Sequence, residues 1–295
     1  MKKRNLLLAM LAVSPMLFCQ CNGEKKEQVQ EEVVTVVEEK VEPTMTLVWE
    51  TPAELTTCES VLVDPATGTI YVANIDGDAR DHDGKGFISI ISKDGEILDR
   101  EWVTGMDGPK GMGILNGKLY VTDIDDIVEI DIEKGEITNT YVVEGASFLN
   151  DIDVHGNKVY FSDMEKGLIH VLEDGEISIL AEGQSSINGL RVDEDGVLHG
   201  LDGEGLKKYA DDGTHEVLNS TVTGGDGLII LGDDNYLASR WAGEIWIIQG
   251  DSETKLLDTK DAQSNTADIG YLEEENLVFV PTFMKNKVAA YKLSY

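Results

Sequence analysis

The chain is short of positive charge, of cysteine and of histidine, and each shortage removes a class of function. Only 24 lysines and arginines stand against 56 aspartates and glutamates, a formal net charge of −32 over 295 residues. Such a surface repels nucleic acid and anionic membranes alike. Of the three cysteines, Cys19 and Cys21 sit at the start of the chain and only Cys58 lies further in. Cys58 therefore has no disulfide partner within the folded part, which must hold by packing. A small buried hydrophobe is the role expected of it, not a nucleophile. The five histidines (His82, His155, His170, His199 and His215) are scattered, and no pair of histidines or cysteines is placed to prefer zinc. The Gly-x-Ser-x-Gly elbow of serine hydrolases does not occur, nor does a nucleotide-type phosphate loop. A hydrophobic share of 41% is nonetheless that of a packed protein.

Residues 1–21 have the layout of an export signal. Met1-Lys2-Lys3-Arg4 supplies positive charge, and residues 6–18 form an apolar run too short for a typical membrane-spanning helix. The run ends at Cys19-Gln20-Cys21, which resembles a bacterial lipoprotein cleavage site, and Cys21 is the expected lipidation site because a polar stretch starts straight after it. Ordinary secretion is the alternative. Residues 22–43 are rich in Glu, Lys, Gln and Val and read as an acidic tether. The expected location is the cell envelope, with contact to a membrane only through a lipid anchor.

From residue 44 to residue 295 a short pattern recurs six times, each time opened by a polar residue. The openings are Glu59-Ser-Val-Leu-Val, Lys110-Gly-Met-Gly-Ile, Asn150-Asp-Ile-Asp-Val, Asn188-Gly-Leu-Arg-Val, Asp226-Gly-Leu-Ile-Ile and Asp268-Ile-Gly-Tyr-Leu. Their spacings are 51, 40, 38, 38 and 42 residues, and a period near 40 with about four short strands per repeat marks a β-propeller blade. The fold expected is all-β, a six-bladed propeller. Asp-Gly and Asn-Gly turns punctuate the blades, as tight hairpins require. The sixth repeat has room for three strands only, so residues 46–50 are expected to supply the missing outer strand and close the ring. One loop stands out, Asp76-Gly77-Asp78-Ala79-Arg80-Asp81-His82-Asp83-Gly84, which is longer than its counterparts and carries four carboxylates. It reads either as a cation-binding or lid loop or as a solvated acidic turn.

Inner strands of a propeller all begin around one channel, so the six opening residues become a ring. Glu59, Asn150, Asn188 and Asp226 offer two carboxylates and two amide carbonyls, hard oxygen donors suited to a divalent cation and best to Ca2+. Singly, each would suit a strand-end cap.

The same residues carry a family resemblance over residues 47–295. The chain resembles the senescence marker protein/gluconolactonase (regucalcin-like) family of six-bladed propellers. In that family a blade-one Glu, an Asn-Gly in a middle blade and an Asp-Gly in the next hold a catalytic divalent cation; these match Glu59, Asn188-Gly189 and Asp226-Gly227. A further Asn-Asp near metal and substrate matches Asn150-Asp151. The family's blade one often reads Glu-Gly/Ser-Pro before an aromatic, whereas here Glu59-Ser60 runs into Val61-Leu62. The resemblance implies an exported metal-dependent hydrolase of a lactone or related ester acting on a small-molecule substrate. Asp226 would be the catalytic base as well as a ligand. Lys110 would point at a substrate anion or pair with Asp268, and Lys110, Arg240 and Asp268 are the candidate substrate-binding residues. Trp241 would be a pocket wall or ordinary packing. The alternative is a non-catalytic cell-surface propeller that binds a small ligand or a protein partner, since fold alone does not assign function.

Overall fold

The computed structural model describes residues 42–295. The proposed export signal, Cys21 and the tether as far as residue 41 lie outside the described residues. Six four-stranded antiparallel sheets follow one another along the chain. Their first strands are Cys58–Val63, Pro109–Leu115, Leu149–His155, Leu190–Val192, Leu228–Gly232 and Gly270–Leu272. Six apolar clusters, one at each junction between successive blades, hold the ring; that between blades three and four joins Ile169 and Ala181 to Ile187, Leu190 and Leu198. A middle strand such as Ile70–Asn74 is buried at every position, because both faces of its sheet pack against neighbouring blades. Cys58 is fully buried, and burial pushes its thiol up to about 12, so it packs and does not react. The described residues contain no helix long and apolar enough to cross a membrane.

The ring closes where the missing strand was expected, over a slightly longer span. Strand Thr44–Glu50 pairs antiparallel with the chain's last strand, Val288–Ser294, from Thr44 opposite Ser294 to Glu50 opposite Ala289, with a shift of register between Leu47 and Trp49. Trp49 tilts onto Phe279 at 5.8 Å between ring centroids and donates its indole N–H to Lys93 O at 2.9 Å, so the closing strand also grips blade one. Without this strand the edge of Val288–Ser294 would be an open pairing template. Deleting residues up to Glu50 should lower Tm by more than about 5 °C, the shift produced by losing ~2 kcal/mol in a domain of this size. Aggregation should accompany the loss. A truncated chain that melts unchanged and sediments as a monomer would refute the closure.

Candidate functional site

Each blade's first strand begins at one end of the channel, and the six opening residues gather there. Glu59, Lys110, Asn150, Asn188, Asp226 and Asp268 are all buried, with relative exposures of 1% to 8%. What lets the strands come so close is the residue after the opening one. A Cβ on Gly189 would lie 2.1 Å from Asp226 O, and one on Gly227 would meet Ile269 N at 2.5 Å and Asp268 Oδ1 at 2.6 Å. Only glycine fits between strands at that separation. The Asn-Gly and Asp-Gly pairs are thus packing devices that bring their polar partners together.

The carboxylates interlock across blades. Asn188 donates its side-chain amide to Asp226 Oδ1 at 2.7 Å, linking blades four and five. Ser60 donates its hydroxyl to Asp268 Oδ2 at 2.6 Å, and Asp268 N donates to Glu59 O at 2.9 Å, linking blades six and one. Asp151 accepts backbone N–H bonds from Ile152 at 2.7 Å and from Leu190 at 2.5 Å in the next blade, and it feels the charge of Asp268. Three acceptor oxygens in this ring have no donor at all: Glu59 Oε2, Asn188 Oδ1 and Asp268 Oδ1.

Crowding and burial raise every carboxyl here. Glu59 is held well above the ordinary range by burial and by the charges of Asp226 and Asp268, with Lys110 opposing. Asp151 is raised by burial and by Asp268, against the pull of Arg191. Asp226 is pushed up to about 7 by burial and by Asp268, while the Asn188 hydrogen bond opposes. Asp268 is raised by burial against Arg191 and Ser60.

The other expected site residues are placed differently. Asn150 is buried at its ring position, but its amide donates to Met164 Sδ at 3.8 Å in its own blade. Lys110 makes no ion pair with Asp268. Its side chain turns back so that Nζ donates to Gly108 O at 2.8 Å and lies 4.4 Å from the centre of the Phe148 ring. The turn that receives it is fixed by Asp123, which accepts the N–H groups of Asp107 and Gly108. Arg240 pairs with Glu244 at 2.7 Å, a carboxylate that also takes Lys255 and Lys260. Burial would raise Glu244, yet hydrogen bonds from Lys260, Lys255 and Trp246 hold it down at about 2, so Arg240 is tied into an ion cluster of blade five. Trp241 remains 45% exposed, edge-on to Phe283 at 5.5 Å.

The long loop over residues 76–85 is a strap. Asp78 and Asp83 spend their carboxylates within it, on Arg80 N at 3.0 Å and on Lys85 Nζ at 2.5 Å. Two of its side chains reach outward: His82 Nδ1 to Asp107 at 2.9 Å over blade two, and Arg80 to Glu165 at 2.5 Å and onto the Phe148 ring at 4.4 Å over blade three. The hydrogen bond to Asp107 raises the His82 imidazole. A cavity of about 960 Å³ opens at the other end of the channel, where the first strands finish; Arg191, Asp193, Asp233 and Glu273 are among its lining.

Sequence reasoning missed Asp151 as a ring member in its own right, Arg191 and Phe148. Asp151 was visible only as half of a dipeptide. Arg191 repeats no other blade, and Phe148 precedes the strand.

The donor set suits a cation in kind, since every orphaned atom is an oxygen acceptor. Among the described residues, however, no three carboxylates, imidazoles or thiols converge as a ready metal cluster. Any such ion would need the Asn188 carbonyl oxygen as well.

Comparison with known proteins locates the fold. No protein-family model matches the sequence, and no curated protein matches it either. Solved structures do. Virginiamycin B lyase from Staphylococcus aureus, bound to quinupristin, is 14% identical over 86% of this chain and 100% of its own, with a TM-score of 0.59. A gluconolactonase from Xanthomonas campestris is 14% identical over 84% of this chain and 87% of its own, with a TM-score of 0.58. The nidogen/laminin complex contains a chain 17% identical over 73% of this one and 85% of its own, with a TM-score of 0.61. At these identities the likeness is one of architecture, shared by the gluconolactonase-type propellers.

The raised carboxyls give a pH dependence of defined sign. Asp226 titrates near 3.9 when unfolded and at about 7 when folded. Its neutral form stabilises the fold below the lower value, and that contribution is lost as pH rises through the higher one. In a chelator, Tm should therefore fall between about pH 4 and pH 7. Asp226→Asn should remove part of the fall, gaining roughly 1–3 kcal/mol over the native chain at pH 8. A calorimetric Tm series with the same slope for both proteins would show the carboxyl to be unperturbed.

Proposed function

We propose that this chain hydrolyses a lactone or related ester, using a divalent cation, Ca2+ first, held at the channel ring by Glu59, Asn188 and Asp226. Asn150 stands by as a further ligand or a substrate contact. The observation that carries the reading is the trio of buried oxygens without donors, Glu59 Oε2, Asn188 Oδ1 and Asp268 Oδ1. An acceptor stranded in a dry interior costs about 1–3 kcal/mol; a cation held by Glu59 and Asn188 would relieve it at two of the three, and Asp268 Oδ1 is left for the ion or the substrate. Hard oxygens in this number, completed by water, suit calcium better than a metal that prefers nitrogen or sulfur. The architectural likeness to a gluconolactonase supports the reading.

Bound there, such an ion polarises a carbonyl and makes an attacking water more acidic. The chain's residues do the rest. Asp226, whose carboxyl is buried in the same ring, would take the proton from that water. Asn188 fixes the Asp226 carboxylate through its N–H and keeps its carbonyl oxygen free for binding. Glu59 contributes charge. Asp268, tied to Ser60, keeps one oxygen for a substrate hydroxyl or for the ion.

Calorimetric titration with calcium, followed by a lactone panel on the same sample, tests both halves. Glu59→Gln keeps the shape and removes one charge, so calcium affinity should drop roughly ten- to a hundredfold, the value of a charged contact of about 1.5–3 kcal/mol. Asp226→Asn should cost turnover far more than it costs folding. A native chain indifferent to millimolar calcium defeats the site. Calcium binding without any turnover leaves the second reading, a propeller that binds a ligand or a protein, which the fold shared with a chain of the nidogen/laminin complex also suits.

We further propose export and lipid attachment at Cys21. Mass spectrometry of membrane-extracted protein should find an acylated N-terminal cysteine, and a soluble mature chain starting elsewhere would dismiss the anchor.

A further inference from the structure

Among the described residues two lysines are fully buried, and they are treated very differently. Lys207, 1% exposed, is matched by Asp202 at 2.6 Å and Glu204 at 2.8 Å, with Gln184 at 3.5 Å. Lys110 is just as buried, on a ring with four carboxylates, yet no described carboxylate forms an ion pair with it. Its ammonium gives one hydrogen bond to Gly108 O and rests on the Phe148 ring. Three N–H groups with one acceptor leave two donors unspent, in an interior where an unpaired charge is costly. Elsewhere on the ring the position is reversed, with acceptors lacking donors at Glu59 of the adjacent blade and at Asn188 and Asp268. The strap adds a second cation on the Lys110 side, because Arg80 stacks on the same Phe148 ring at 4.4 Å. The ring is thus polarised, with unspent donors at Lys110 of blade two and bare acceptors at blades one, four and six.

We propose that Lys110 is the anchor for a carboxylate on the ligand, with Arg80 of the strap as the outer cation, so that the site takes carboxylated small molecules. A monoanion is preferred over a phosphate, since the neighbouring carboxylates repel a second negative charge more strongly. For the reaction this rests on the hydrolase reading and makes its substrate a carboxylated lactone or ester. For binding it stands alone.

The test uses a matched pair that cannot be hydrolysed, tetrahydrofuran-2-carboxylate and tetrahydrofuran-2-carboxamide, titrated into the full chain with calcium and again in chelator. The native protein should favour the carboxylate at least about tenfold, as a charge-assisted hydrogen bond provides. Lys110→Met should abolish that preference while calcium binds as well or more tightly. Lys110→Arg, which keeps the charge but changes the head group's reach, should retain a reduced preference; if the Met variant does not fold, this variant and Arg80→Ala, expected to lose part of the preference, carry the comparison. Tetrahydrofuran-2-phosphonate should bind more weakly than the carboxylate. Equal affinity for acid and amide in the native protein overturns the proposal, as does a preference that survives Lys110→Met. Failure to bind calcium or to turn over a lactone defeats the hydrolase reading only, because the acid–amide comparison can still be made in chelator.

Discussion

The close approach of six first strands around one axis governs the rest of this molecule. Gly189 and Gly227 permit it, since any larger residue would meet the backbone of the next blade. Once the strands are that near, whatever opens each of them is forced out of water and into its neighbours' company. Burial then raises the carboxyls, and the shared space leaves several oxygens without donors. The unusual chemistry of the ring is a consequence of packing, and the blades' six apolar junctions supply the stability that sustains it.

Much of this was legible in the sequence because it depends on period. A repeat near 40 residues, turn glycines at fixed offsets and a final repeat one strand short were enough for six blades and for closure by residues 46–50, observed as Thr44–Glu50 against Val288–Ser294. The ring positions followed from the same register. What could not be read was the direction of side chains where the strands are irregular. The pairing of blade three slips between Leu149 and Ile152, so the alternation of faces fails just at Asn150 and Asp151 and both become buried. Asp151 then reaches sideways to blade four. A similar slip between Pro109 and Met112 accompanies the turning back of Lys110.

Arg240 shows a different limit. Its position at the end of a second strand, at the ring end of the channel, made it a plausible substrate contact. Glu244, four residues on, is a nearer partner, already gathering Lys255 and Lys260. In a chain with 56 acidic and 24 basic residues, any cation has many carboxylates to choose from. Proximity along a hairpin decides most of these choices. The absence of such a choice at Lys110, among so many acids, is therefore more telling than the presence of one at Arg240.

Charge at the ring follows from the same scarcity. Glu59, Asp151, Asp226 and Asp268 face Lys110 and Arg191, and Arg191 is also shared with Asp153 at 3.6 Å. Full ionisation leaves a shortfall of at least two positive charges in a space of low dielectric. Burial and mutual repulsion favour a proton on these carboxyls. A divalent cation offers the other answer, and the two are mutually exclusive at any one oxygen. In the proposed reading binding would release protons, and calcium should be held more tightly as pH rises through the range in which Asp226 ionises. A site built this way is set by glycine spacing and by the count of nearby cations, more than by any ligand residue considered alone.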